Sequence, residues 1–138
     1  MGACARYKAR IVADDEREEQ GGRAVLNFGH TIGHAIETLT DYREWLHGEA
    51  VAIGMVAAAR VSRALGRCGT ETVARLARLL ERAGLPTEIP AGLTRAALAL
   101  AMQVDKKSTG GCIRFVCLEE IGRAGFVELS AQEIVNLL

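Results

Sequence analysis

A helix that is apolar on almost every side has to sit at the centre of a fold, and one stretch of this chain spells such a helix. From about His47 to Leu65 the sequence is rich in alanine and offers no broad polar face. A surface helix would keep one. The longest uncharged run within it, Ala50 to Ala59, is ten residues long and includes Gly54. A bilayer span needs about 20 apolar residues, so the run reads as a buried helix in a bundle. Of the chain's 138 residues, 49% are apolar, enough to wrap that helix in a core. The length fits one domain, residues 1–138.

Other elements fall around this centre. The first twenty residues join an amphipathic start to a charge run, Asp14 to Glu19, of the kind found on a solvated helix face, and Gly21-Gly22 breaks it. Residues 41–46 read as a loop anchored by Tyr42 and Trp45. Residues 72–83 show helical period through Val73, Leu76, Ala77 and Leu80. Gly84 suits a left-handed cap there, and Pro86 cannot continue the helix. Thr94 opens another helix as its cap, with Leu93 placed to staple onto Leu98. The period then changes. Ile113–Leu118 and Gly125–Leu129 read as two short strands joined by residues 119–124, and Ser130 with Glu133 forms a capping box for a last helix. The expected architecture is mostly α, a helical bundle with one small β-hairpin.

Charge narrows the function. Lys plus Arg and Asp plus Glu both number 17, for a formal net charge of zero. Such a balance argues against non-specific nucleic-acid binding, which needs a basic surface. No apolar signal-peptide core follows Met1, so the expectation is a cytoplasmic protein that binds neither nucleic acid nor membrane. Cys4, Cys68, Cys112 and Cys117 form no CxxC pair, and Cys112 and Cys117, flanking an apolar strand-like run, read as small core or edge residues in a reducing compartment.

The chemistry gathers in one place. All three histidines, His30, His34 and His47, fall within eighteen residues. His30 and His34 are four apart and share a helix face, and a loop can fold His47 back onto them. Neutral imidazoles converging on one point suit zinc or another borderline divalent metal. Gly29 and Gly33 each precede a histidine and Gly48 follows the third. A helical glycine costs about 1 kcal/mol relative to alanine, so close approach of a ligand or another helix is implied. Lys8, Arg23, Asn27, Lys106 and Lys107 complete a set suited to an anionic, hydroxylated ligand.

The stretch from Leu26 to Glu37, LNFGHTIGHAIE, followed by His47 to Met55, HGEAVAIGM, resembles the core signature of the 3-dehydroquinate synthases. Asp15 to Glu18 and Asp105-Lys106-Lys107 match as well, so that the resemblance runs over essentially the whole chain. HGE alone is also found in metal-dependent alcohol and glycerol dehydrogenases. The family's enzymes are sugar phosphate cyclases of the shikimate pathway, which leads to chorismate and the aromatic amino acids. They convert 3-deoxy-D-arabino-heptulosonate 7-phosphate to 3-dehydroquinate and phosphate, with NAD and a divalent metal, usually zinc or else cobalt.

The resemblance implies roles residue by residue. His30 and His47 are metal ligands, while His34 is a catalytic, proton-handling residue near the metal. Lys8 is catalytic at the anionic end of the substrate. Arg23 and Asn27 bind substrate, as does one of Lys106 and Lys107. It also implies that the chain is the C-terminal metal-binding part of a longer enzyme and inactive alone. The N-terminal half would bring the NAD-binding sheet and a glutamate as third metal ligand. That half, the sugar phosphate and further copies of the enzyme in a homo-oligomer are the expected partners. Phe28, Ile32 and Trp45 are candidates for the face it covers. The alternatives are another cyclase, such as a 2-deoxy-scyllo-inosose synthase, and a non-catalytic helical interaction module.

Overall fold

A computed structural model describes residues 2–14, 22–104 and 111–138. The element order is α1 (Gly2–Asp14), a 3-10 segment (Gly22–Asn27), α2 (His30–Leu39), α3 (His47–Ala64), α4 (Thr70–Arg82), α5 (Arg95–Val104), the strands β1 (Cys112–Glu120) and β2 (Arg123–Ser130), and α6 (Ala131–Leu137). The mostly helical bundle with one antiparallel hairpin is as expected. No helix among the described residues is long and apolar enough to cross a membrane.

The alanine-rich α3 is the central element. On one side Ala50, Ile53, Ala57, Ala58 and Val61 enter a core with Ile32 and Ile36 of α2, Leu98 and Met102 of α5, Phe115 of β1, and Ile134 and Val135 of α6. On the other side Ala52, Val56 and Ala59 meet Val73, Leu76 and Leu80 of α4 together with Leu118. Alanine at these positions brings the neighbouring helices close without leaving space unfilled. Each large side chain buried there contributes about 1.5–3 kcal/mol.

Local signals explain where the elements stop. Gly84 is left-handed, with φ 74°. Its amide bonds to the Glu81 carbonyl at 2.9 Å and that of Leu85 to the Leu80 carbonyl at 3.0 Å, which together close α4 in a Schellman cap. Thr94 caps α5 through its hydroxyl, which accepts from the Ala97 amide at 3.1 Å. Ser130 and Glu133 make the reciprocal capping box that starts α6.

In two places the structure departs from expectation. The strands run longer than their apolar cores, so only Ile121 and Gly122 separate β1 from β2. Gly122 at φ 95° makes that short turn feasible. Tyr42 does not anchor its loop, because its side chain is exposed. The loop is held instead by its own backbone, with Asp41 and Tyr42 both left-handed (φ 52° and 56°) and the Tyr42 amide donating to the Glu37 carbonyl at 2.9 Å. Trp45 does pack on the core.

Candidate metal centre

The three histidines converge through a tight crossing of α2 and α3. Gly29 stands before α2 with φ 83°, and a Cβ there would meet the Met55 backbone nitrogen at 2.6 Å. At Gly33 a Cβ would lie 3.1 Å from the Ala50 carbonyl oxygen, and at Gly54 it would overlap the Gly29 carbonyl. Gly29 and Gly54 are therefore demanded by the close approach of backbone to backbone, and Gly33 is a tight contact at the same crossing. Gly48 is different, since nothing lies within 4 Å of its missing Cβ.

With the helices this close, His30 and His34 on α2 face His47 at the start of α3. Ring centroids are 5.4 Å apart for His30 and His34, 5.5 Å for His30 and His47, and 5.8 Å for His34 and His47. One ligand-competent atom from each ring lies within 4.8 Å of the others. A tetrahedral zinc holds its nitrogens roughly 3.3 Å apart, so modest side-chain rotation brings this donor set onto an ion. His34 belongs to this cluster along with the other two.

Hydrogen bonds orient two of the rings. The His30 Nδ1 sits 3.4 Å from the Phe28 carbonyl oxygen, which can only accept, so Nδ1 carries the proton and Nε2 keeps its lone pair. The His47 Nδ1 is 3.0 Å from Glu37 Oε1. Burial pushes the His30 imidazole below its ordinary value, and His34 and His47 lower it further. The Phe28 carbonyl and Glu37 act in the opposite sense. The neutral ring, the form that binds metal, is favoured.

Beside the cluster opens a cleft of about 260 Å³, lined by Thr31, His34, Glu37, Thr38, Tyr42 and His47, with Ala101 and Met102 of α5 also on its wall. The Thr38 and Tyr42 hydroxyls are 3.4 Å apart. Hydroxyls next to imidazoles suit a polyhydroxylated ligand. A second cleft, lined in part by His30, is apolar and includes Phe28, Val51 and Met55.

The remaining expected site residues spread more widely. Lys8 lies exposed on α1, and Asn27 is exposed at the end of the 3-10 segment. The Arg23 side chain and the whole of Lys106 and Lys107 lie outside the described residues, as does the charge run from Asp15 to Glu19. Ile32 is removed from the candidate outer face, because it is 0% exposed and belongs to the core. Sequence reasoning passed over Glu37, Thr31, Thr38 and Tyr42. For Glu37 a signal was there, since His30, His34 and Glu37 follow the i, i+4, i+7 spacing of one helix face.

The chain is also similar to known proteins. The family model described as 3-dehydroquinate synthase C-terminal matches residues 1–108. A 3-dehydroquinate synthase from Pelobacter propionicus is 51% identical over 134 residues, covering 97% of this chain and 37% of that protein. One from Halorhodospira halophila is 56% identical over 119 residues, 86% of this chain and 33% of its own length. The chain thus spans about a third of the length of the curated relatives it matches. Among solved structures, a 2-deoxy-scyllo-inosose synthase complexed with carbaglucose-6-phosphate, NAD+ and Co2+ superposes with a TM-score of 0.81 at 23% identity, over 99% of this chain and 38% of that one. A 2-epi-5-epi-valiolone synthase from Streptomyces hygroscopicus with NAD+ and Zn2+ bound gives 0.74 at 23% identity, over 93% and 35%. At this identity the likeness carries the fold alone.

Proposed function

The chain belongs to the 3-dehydroquinate synthase family, whose C-terminal region it carries, and from this premise we propose that it forms the metal-binding side of an active site completed by a longer enzyme. The reaction proposed for that enzyme is conversion of 3-deoxy-D-arabino-heptulosonate 7-phosphate to 3-dehydroquinate and phosphate, a carbon–oxygen lyase step within a cyclisation. Residues 1–138 act as one domain in this reading. The observation that carries it is the convergence of His30, His34 and His47 within 4.8 Å beside a hydroxyl-lined cleft.

The donor set fits zinc or cobalt, being nitrogen only, with the lone pair of His30 on Nε2. A divalent ion bound there supplies Lewis-acid polarisation of a substrate hydroxyl. His30 and His47 hold it, with a further ligand from the rest of the enzyme. His34 accepts and returns a proton at its ring nitrogen, facing the same cleft. Thr31, Thr38 and Tyr42 orient substrate hydroxyls. Asn27 and Arg23 hold the substrate, while Lys8 and one of Lys106 and Lys107 bind its anionic ends. The lysine pair follows α5, whose Met102 lines the cleft.

For NAD the fit differs. Among the described residues the two strands form one antiparallel hairpin, with no strand–glycine turn–helix cradle for a pyrophosphate. No step through NAD is assigned to this chain, and its binding is proposed for the remaining part of the enzyme.

The dehydroquinate reading is preferred over another sugar phosphate cyclase because identity to 3-dehydroquinate synthases is 51% and 56%, against 23% to the inosose synthase. Zinc titration of histidine variants tests the site. His30→Ala and His47→Ala are expected to weaken zinc binding by at least about tenfold, and His34→Ala to leave it within about twofold. Loss of binding in His34→Ala with His30→Ala unaffected overturns the assignment. The whole activity is tested by mixing this chain with a separately expressed N-terminal half, NAD and zinc. Phosphate release from the mixture and none from either part supports the reading. Failure of the chain to bind metal at all would leave the interaction-module reading.

A further inference from the structure

We infer that Glu37 is a positioning residue that fixes the tautomer and orientation of His47 for metal binding. The inference rests on the metal reading of the histidine cluster, but its central observation does not need a metal.

Glu37 lies on the same face of α2 as His30 and His34, one turn beyond His34, and is 5% exposed. Its Oε1 reaches across to α3 and stands 3.0 Å from His47 Nδ1. The pairing is lopsided, because the His47 side chain is 59% exposed while that of Glu37 is 7% exposed. A buried carboxylate paired with an exposed imidazole is a poor stabilising device. Taking a charge out of water is costly, and a well-packed apolar side chain would serve the core as well or better.

Orientation explains the arrangement. His47 opens α3, so helix packing on the N-terminal side does not restrict its ring. A carboxylate oxygen accepts and does not donate, so the proton of the neutral imidazole is held on Nδ1 and the lone pair remains on Nε2. The bond also restrains the ring plane, and it leaves Nε2 free to serve the cluster in which one ligand atom of His47 lies within 4.8 Å of those of His30 and His34. Glu37 itself is not among the residues whose ligand atoms cluster within 4.8 Å, so it works through His47. A carboxylate behind a metal-binding histidine fixes its tautomer and lowers the orientational cost of binding.

The test begins on the metal-free chain with long-range proton–nitrogen NMR of the imidazoles. His47 is expected with the proton on Nδ1, and the opposite tautomer in the parent overturns the inference, whatever any variant does. In Glu37→Gln the amide group can also donate, and a mixture of tautomers is expected. Zinc affinity, measured by competition with a chelating dye, should fall about 10–100-fold in Glu37→Gln and recover in part in Glu37→Asp. A purely structural Glu37 would shift the thermal midpoint and leave tautomer and affinity unchanged. Zinc affinity of Glu37→Gln within twofold of a zinc-binding parent overturns the inference. A parent that binds no zinc sinks the proposed function instead, with the tautomer measurement still deciding the role of Glu37.

Discussion

The two halves of α3 are packed by different means. Where α3 crosses α2, glycines let backbone approach backbone, and the three histidines sit beside that crossing. Where α3 meets the hairpin, side chains such as Val61, Phe115 and Cys117 fill the gap. One buried hydroxyl ties the two elements. Ser62 Oγ donates to the Ala58 carbonyl at 2.7 Å and accepts from the Leu118 amide at 2.9 Å. A backbone crossing has one workable spacing, whereas a side-chain interface can rearrange rotamers to absorb a change. The site is built at the crossing, where the distance between helices is fixed most tightly.

The sharpest way to break this contrast is Gly54→Ala. The new Cβ overlaps the Gly29 carbonyl, with the Gly33 amide nitrogen at 2.8 Å, and neither is a flexible side chain. The expected cost exceeds about 3 kcal/mol, beyond ordinary overpacking, and His47 should be displaced from His30 and His34. Urea denaturation with zinc titration on the same variant measures both. A parent-like midpoint with parent-like zinc affinity would show that the crossing has slack.

The half packed by side chains should respond less. Ser62→Ala removes the hydroxyl and leaves the Leu118 amide buried without that acceptor, at a cost of about 1–3 kcal/mol. Hydrogen exchange at the Leu118 amide should quicken, with zinc affinity unchanged. A fall in zinc affinity as large as that of Gly54→Ala would mean that the two halves are not independent.

How much of the molecule is legible in its sequence follows the same division. The all-apolar helix, the Gly84 cap, the Thr94 cap and the Ser130–Glu133 box are local, and each carries a residue-level signal that the structure reproduces. The histidine cluster is legible in part, because i, i+4 spacing is local but the return of His47 depends on a loop. That loop turns on Asp41 and Tyr42 in left-handed backbone, which a tyrosine does not advertise. Gly29 and Gly33 are readable as close approach, yet only the crossing shows that the neighbour is a helix. Glu37 looks like one more polar residue on α2. Its role depends on a partner ten residues away, across the crossing. Ser62 is hidden for the same reason, since its partner Leu118 is 56 residues away.

The smallest expected effect has the opposite sign and concerns the glycine the fold does not demand. Gly48 lies in the first turn of α3, where its φ is outside the left-handed region and nothing stands within 4 Å of the Cβ an alanine would add. Alanine there removes backbone freedom from the unfolded chain and fits the helix, so Gly48→Ala is expected to stabilise by about 0.4–1 kcal/mol. On a chain this size that is roughly 1–3 °C in thermal midpoint. Calorimetry of this chain alone checks it, and a lower midpoint would mean that the open space beside Gly48 is closed by something within the chain. The companion measurement is activity with the N-terminal half present. If the glycine is kept for a ligand or partner backbone that approaches next to His47, the alanine variant gains stability alone and loses phosphate release in the assembled enzyme. Should both rise together, Gly48 answers to neither side of α3.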